Sequence, residues 1–270
     1  MSARKRVAPP PAPPVLDGGT IISTALEKTW AIVKAKQALA GTKKKFKKDL
    51  SFAITFALQM SELIAAALRP HFPEIKYGET PSRAVAGLKR VDVSYNTNQA
   101  GLGLAVSLKS VHFGERDEGA SGFIHNMKRN DEELRVEATG HHLRQPYAVL
   151  VGVLFLPLES CTDQTETSET SSFASWVQYL WPLKGRDEPE DPPDRCELVF
   201  VALYSPAARN AAESIDDPRL GFYHVGGRVK CPRRGIPELL TFEEFLKLIK
   251  KTYDERNGKD FAFEGEGPAE

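Results

Sequence analysis

The chain has 270 residues, 41% hydrophobic and 27% charged, which suits a globular protein with one large core or two modest ones. Its 36 basic and 36 acidic residues cancel overall, but positions 1–50 hold 11 Lys/Arg against 3 Asp/Glu, 157–194 hold 9 acids against 2 bases, and 254–270 hold 6 against 2. No apolar run approaches the roughly 20 residues that span a bilayer, and Cys161, Cys196 and Cys231 show neither metal-ligand spacing nor the even number of a disulfide framework.

The start, "MSARKRVAPPPAPPVLDGG", is basic and Pro-rich without the apolar stretch of a secretory signal, so residues 1–19 read as a flexible extension of a cytoplasmic protein. "TIISTALEKTWAIVKAKQALA" reads as an amphipathic helix with Ile22, Leu26, Trp30 and Val33 near one face. After a basic turn, "GTKKKFKK", a second helix starts at Asp49 and stops at Pro70. It is apolar nearly all round, which predicts burial, with Glu62 exposed or salt-bridged near its end.

From residue 88 the pattern changes to strands. "LKRVDVSY" alternates imperfectly, "NTNQAG" has hairpin-loop chemistry, and "LGLAVSLKSVHF" is a continuous apolar strand. "HNMKRNDEELRVEATGHHLRQP" reads as a helix capped at Asn126 or Asn130, with acids in its first turn and His141 and His142 as favourable charges at its end. "YAVLVGVLFLPL" is a strand apolar on both faces. A polar loop over 159–172, a short helix burying Trp176 and Trp181, and a second polar loop over 184–195 follow. "CELVFVALYS" is another buried strand, "LGFYHVGG" extends the sheet, and "LTFEEFLKLIKKTYDER" closes the chain as a helix capped at Thr241. The order predicts a single α/β domain over 20–255, a mixed sheet flanked by helices, followed by an acidic tail over 256–270.

"KRVDVSYNTNQAGLGLAVSLKSVHF" carries the chemistry. Lys109 interrupts an apolar run, and a buried lysine is rare without a partner. Phosphodiester hydrolysis needs carboxylates holding a hard divalent cation, and a nearby amine to offset developing charge. Asp92 at one strand and Lys109 at the end of the next resemble the active-site hairpin of the PD-(D/E)xK, or restriction-endonuclease-like, nucleases; the likeness covers roughly residues 49–158 as a pattern.

That resemblance implies a restriction-endonuclease-like mixed sheet, a metal-dependent endonuclease using Mg²⁺ on double-stranded DNA, a restriction or phage-defence role, and a possible homodimer. On it, Asp92 would ligate the metal, Lys109 would be the catalytic lysine, and the Leu108 carbonyl would be a third contact. Two positions depart from the family's motif. Val91 stands where proline is common, and Ser107 stands where the second carboxylate belongs. Some members with Ser or Thr there take a glutamate from the following helix. Here the candidates are Glu133 and Glu137, four residues apart on one helical face, with Glu132 turned about a hundred degrees away. Glu115 is nearer in sequence but lies in a polar loop.

For the substrate, Lys128, Arg129 and Asn130 open the helix beside the proposed site, where phosphate contacts are useful. "HVGGRVKCPRRGIPE" adds Arg228, Lys230, Arg233 and Arg234. No separate DNA-reading module is apparent. The alternative is a silent nucleic-acid-binding or assembly protein that keeps the fold without the second carboxylate.

Overall fold

The computed structural model describes residues 18–40, 48–84, 87–97, 101–111, 123–124, 126–163, 169–204 and 220–257. Most of the N-terminal extension, the basic turn at 41–47, the hairpin turn at 98–100, Glu115 with its loop, part of the 159–172 loop and the tail beyond 257 lie outside the described residues.

Helices α1 (Gly18–Ala40) and α2 (Lys48–Leu68) precede strands β1 (Lys76–Ala84), β2 (Gly87–Thr97) and β3 (Gly101–Ser110). Helix α3 (Met127–His142) leads to β4 (Val149–Pro157), and α4 (Ser172–Leu180) to β5 (Leu198–Tyr204); β6 (Leu220–His224) and α5 (Phe242–Asn257) complete the chain. The six strands lie side by side in chain order. β1, β2 and β3 pair antiparallel, β3, β4 and β5 parallel, and β6 antiparallel on β5. The parallel pairs occur where a helix separates the strands, because returning to the same end of a sheet needs a crossover. β4 and β5 are buried along their whole length, as continuous apolar runs covered on both faces must be.

Strand register sorts the side chains onto two faces. Ser107, opposite Gly152, and Lys109, opposite Leu154, face α3 and α4. There Leu134 of α3 packs over Gly152, and Phe173 of α4 meets Tyr223 edge-on at 5.3 Å. Leu108, Val153 and Phe200 line up on the other face, under α2 and α5. Phe56 of α2 meets Phe155 there at 5.3 Å, and Phe245 of α5 stacks on Phe222 at 4.1 Å and meets Phe200 edge-on at 4.9 Å. α1 lies outside α2, joined to it through Trp30 and Phe52. The result is a helix–sheet–helix sandwich, the mixed α/β architecture expected from the element order.

Three local expectations change, and one element is added. β1, in a stretch for which the sequence suggested no element, is an edge strand, where proline is tolerated, and its register slips between Tyr77 and Thr80. α2 is not buried all round: Ile54 and Leu58 are exposed, because α1 and the sheet cover only two flanks of the helix. Trp176 is fully buried but Trp181 is half exposed, since the chain leaves α4 there in a 3-10 turn through Pro182. α3 starts after Asn126, whose backbone is left-handed (φ 63°) and whose side chain makes no cap bond, and no acid falls in its first turn. α5 starts as expected: Thr241 Oγ1 accepts from the Glu244 N–H while Glu244 accepts from the Thr241 N–H, a reciprocal capping box.

Candidate active site

β2 and β3 pair antiparallel, which brings Asp92 beside the far end of β3 although sixteen positions separate it from Leu108. The Leu108 N–H donates to Asp92 Oδ2 at 2.7 Å. The contact between these two residues is therefore through the amide N–H of Leu108. Charge-assisted bonds of this kind are short and strong, and this one anchors the carboxylate to the strand that carries Lys109.

Ser107 and Lys109 are two apart on β3, so both project toward α3. On α3, Glu133 and Glu137 share a face one turn apart. Glu137 meets both strand residues: Lys109 Nζ donates to Oε1 at 2.8 Å, and Ser107 Oγ donates to Oε2 at 2.5 Å. Glu133 Oε2 lies 3.7 Å from Lys109 Nζ, and its Oε1 accepts from Arg129 Nε at 2.8 Å. Lys109 and Glu137 are 15% and 14% exposed, against 39% for Glu133, so the first pair forms the sheltered centre and Glu133 its rim.

Burial disfavours the Lys109 ammonium, but Glu137, Asp92 and Glu133 outweigh it and hold the amine above the ordinary lysine value. Glu133 is likewise disfavoured as an anion by partial burial, yet Arg129 and Lys109 hold its carboxyl below the usual range. The centre is thus a proton-loaded amine among three carboxylates. It places one fixed positive charge among acidic oxygens and leaves the centre with more acidic than basic groups, which favours a cation over an anion beside it.

The structure gathers Asp92, Ser107, Leu108, Lys109, Glu133 and Glu137 in one place. Lys128 and Arg129 are on the exposed first turn of α3 beside them, paired with Glu132 and Glu133, while Asn130 is buried. Arg233 and Arg234 reach the segment that leaves β4: Arg233 pairs with Glu169 at 2.8 Å, and Arg234 donates to the Thr162 and Asp163 carbonyls. Arg228 and Lys230 are exposed on the turn after β6. His142 is fully buried and lies beside Glu197, not at this centre. A cavity of about 10 Å³, roughly one water in size, lies behind Ser107 and Glu137 against His141 and Cys196.

The donors around Lys109 are all oxygen, the kind a hard divalent cation takes. Among the described residues, however, no three His, Cys, Asp or Glu side chains are disposed as a metal-binding group. Glu137 already has Ser107 and Lys109 on its two oxygens. A cluster that sequence reading did not find joins Arg186, Glu197 and Arg256, with Glu197 Oε1 3.0 Å from Arg186 Nη1 and 3.4 Å from Arg256 Nη2. Arg186 stands in the acidic run "KGRDEPEDPPDR", which reads as a solvated loop, so only the charge of Glu197 before an apolar strand could have marked it. No helix among the described residues is long and apolar enough to cross a membrane. No family model matches the chain, and neither a curated protein nor a solved structure is significantly similar to it.

Proposed function

We propose that the protein is a metal-dependent DNA endonuclease of the PD-(D/E)xK kind, acting in restriction or phage defence. One observation supports this above all: Glu137, on the helix after β3, meets both Ser107 and Lys109. That is the place from which a carboxylate missing at Ser107 would have to come. The element order supports it as well, since the hairpin, crossover helix and parallel strand put the cluster toward the carboxyl ends of β3 and β4, where open α/β sheets bind ligands.

In this reading Asp92 and Glu137 would hold Mg²⁺, with the Leu108 carbonyl as a further contact and Glu133 at the rim. The bound ion would supply Lewis-acid stabilisation of the phosphate and a more acidic water. The chain's own groups do the rest. Lys109, kept protonated, faces the developing charge on the phosphate. The Leu108 N–H holds Asp92 in register with Lys109. Lys128 and Arg129 at the start of α3 contact the DNA backbone, and Arg228, Arg233 and Arg234 extend the basic surface.

The test is plasmid cleavage by purified protein with Mg²⁺, run beside EDTA, Lys109→Ala, Glu137→Ala and Glu133→Ala. Cleavage should vanish with EDTA and fall by about a hundredfold or more for Lys109→Ala. Glu137→Ala should abolish it, and Glu133→Ala should weaken it less.

A second reading, a silent nucleic-acid-binding protein, is favoured by the saturation of Glu137 by protein donors. Intact plasmid with Mg²⁺ and Mn²⁺ across several DNA sources, with binding retained, would replace the first reading by the second.

A further inference from the structure

At the opposite end of the sheet, where β4 and β5 begin, a cleft of about 570 Å³ opens between α5, the turn after β6 and the segment before β5. It shares no residue with the Lys109 cluster, and nothing argued for that cluster bears on it. Leu198, Val225 and Leu248 give it an apolar lining.

The charged groups of the lining fall into two sets. Arg186 and Arg256 are turned inward, 1% and 7% exposed, and share the buried Glu197, so neither guanidinium is presented to the cleft. Asp187, Glu188 and Glu255 are exposed at the rim. Asp191 Oδ2 accepts from the Asp187 and Glu188 N–H groups, both at 2.9 Å, and this fixes the turn that carries the two carboxylates. Glu255 lies 3.5 Å from Lys251, an exposed helical pair that contributes little.

The remaining cation, Lys184, is half-buried, and its Nζ lies 4.3 Å from the centre of the half-exposed Trp181 ring. His224 is held below the ordinary histidine value, first by burial and then by Lys184, and adds no charge at neutral pH. The open side of the cleft therefore presents three carboxylates against one ammonium, beside an exposed indole. Such a surface repels polyanions and attracts a cation.

The chain supplies a complementary segment. Residues 1–17 precede α1 and lie outside the described residues; they contain Arg4, Lys5 and Arg6, followed by "VAPPPAPP". A proline tract favours the polyproline II conformation, so it loses little conformational entropy on docking, and exposed aromatic rings are the usual receivers of such tracts. At about 3.1 Å per residue the segment reaches about 50 Å, comparable with the width of a domain whose radius of gyration is about 18 Å. The tether also gives it an effective concentration in the millimolar range, an advantage no free amine has.

We propose that this cleft docks the chain's own N-terminal segment, with Arg4, Lys5 and Arg6 against Asp187, Glu188 and Glu255 and the proline tract against Trp181.

The experiment uses the full-length protein in two ways. A carbodiimide, which joins an amine to a carboxylate in direct contact, should couple Lys5 to Asp187, Glu188 or Glu255 in a product of monomer mass, mapped by peptide mass spectrometry. Trypsin should cut after Arg4, Lys5 and Arg6 about fivefold or more faster in the double variant Asp187→Asn, Glu188→Gln than in wild type. Both changes are on the exposed rim and leave Asp191 to hold the turn. The wild-type protection should also disappear near 1 M salt, where screening shortens to about 3 Å. Lys5 coupled only to other carboxylates such as those of the acidic tail, coupled only between chains, or not coupled at all overturns the proposal. So does equal trypsin cleavage of wild type and variant.

Discussion

Lys109 carries a charge on an apolar strand because three carboxylates surround it. Its raised protonation equilibrium implies that the Lys109–Glu137 pair stabilises the fold fully below the ordinary lysine value of 10.5 and loses that contribution as pH rises through the still higher folded value. The stability difference between wild type and Lys109→Met, read from urea unfolding, should therefore stay flat from neutral pH up to the ordinary lysine value and shrink only above it. A difference that already falls near neutrality would mean that the amine is not held in its charged form. The same protonation makes Lys109 a fixed positive charge at neutral pH and not a base. Glu137→Gln leaves a largely buried ammonium without its closest anion and should cost about 2–4 kcal/mol. Glu133 behaves differently: its contribution exists above the ordinary carboxylate value and fades as pH falls through the lowered folded value, but exposure screens it.

Among the elements, the pairing of β3 with α3 decides the candidate site, and the packing of α5 on β5 and β6 decides much of the stability. Phe245 is fully buried between Phe222 and Phe200, so Phe245→Ala should destabilise the protein by about 3–5 kcal/mol in chemical denaturation. A loss under about 1 kcal/mol would mean that α5 does not dock as described. β2 and β3 were legible in the sequence because hairpin chemistry is local: Asn and Gly in the turn, apolar residues on both sides. β1 was not, because an edge strand needs no apolar alternation, and its pairing with β2 accommodates Pro81 and the irregularity at Gly78. Trp181 was misplaced for a similar reason, since a hydrophobic residue's type does not say where a helix turns into 3-10 geometry.

At the scale of the molecule, the parallel strands β4 and β5 are buried end to end, whereas Lys76 and Tyr77 at the start of the edge strand β1 are exposed. Amide exchange should be slowest along β4 and β5, which are buried end to end, and faster along β1 at the edge of the sheet. Equal protection across all six strands would contradict that gradient. The alternation of helices with apolar runs already determined a mixed α/β sheet, since period and burial preference are properties of neighbouring residues. Sequence also singled out Lys109, because an amine within an apolar strand is anomalous wherever the chain later goes, and it narrowed the helical acids to Glu133 and Glu137 by their shared face. Only the tertiary structure decided that Glu137 takes the inner position between Ser107 and Lys109 while Glu133 stays at the rim with Arg129. Only it joined Arg186, Glu197 and Arg256, because electrostatic partners far apart in the chain are chosen by strand register and helix docking, and neither is encoded in any local stretch of residues.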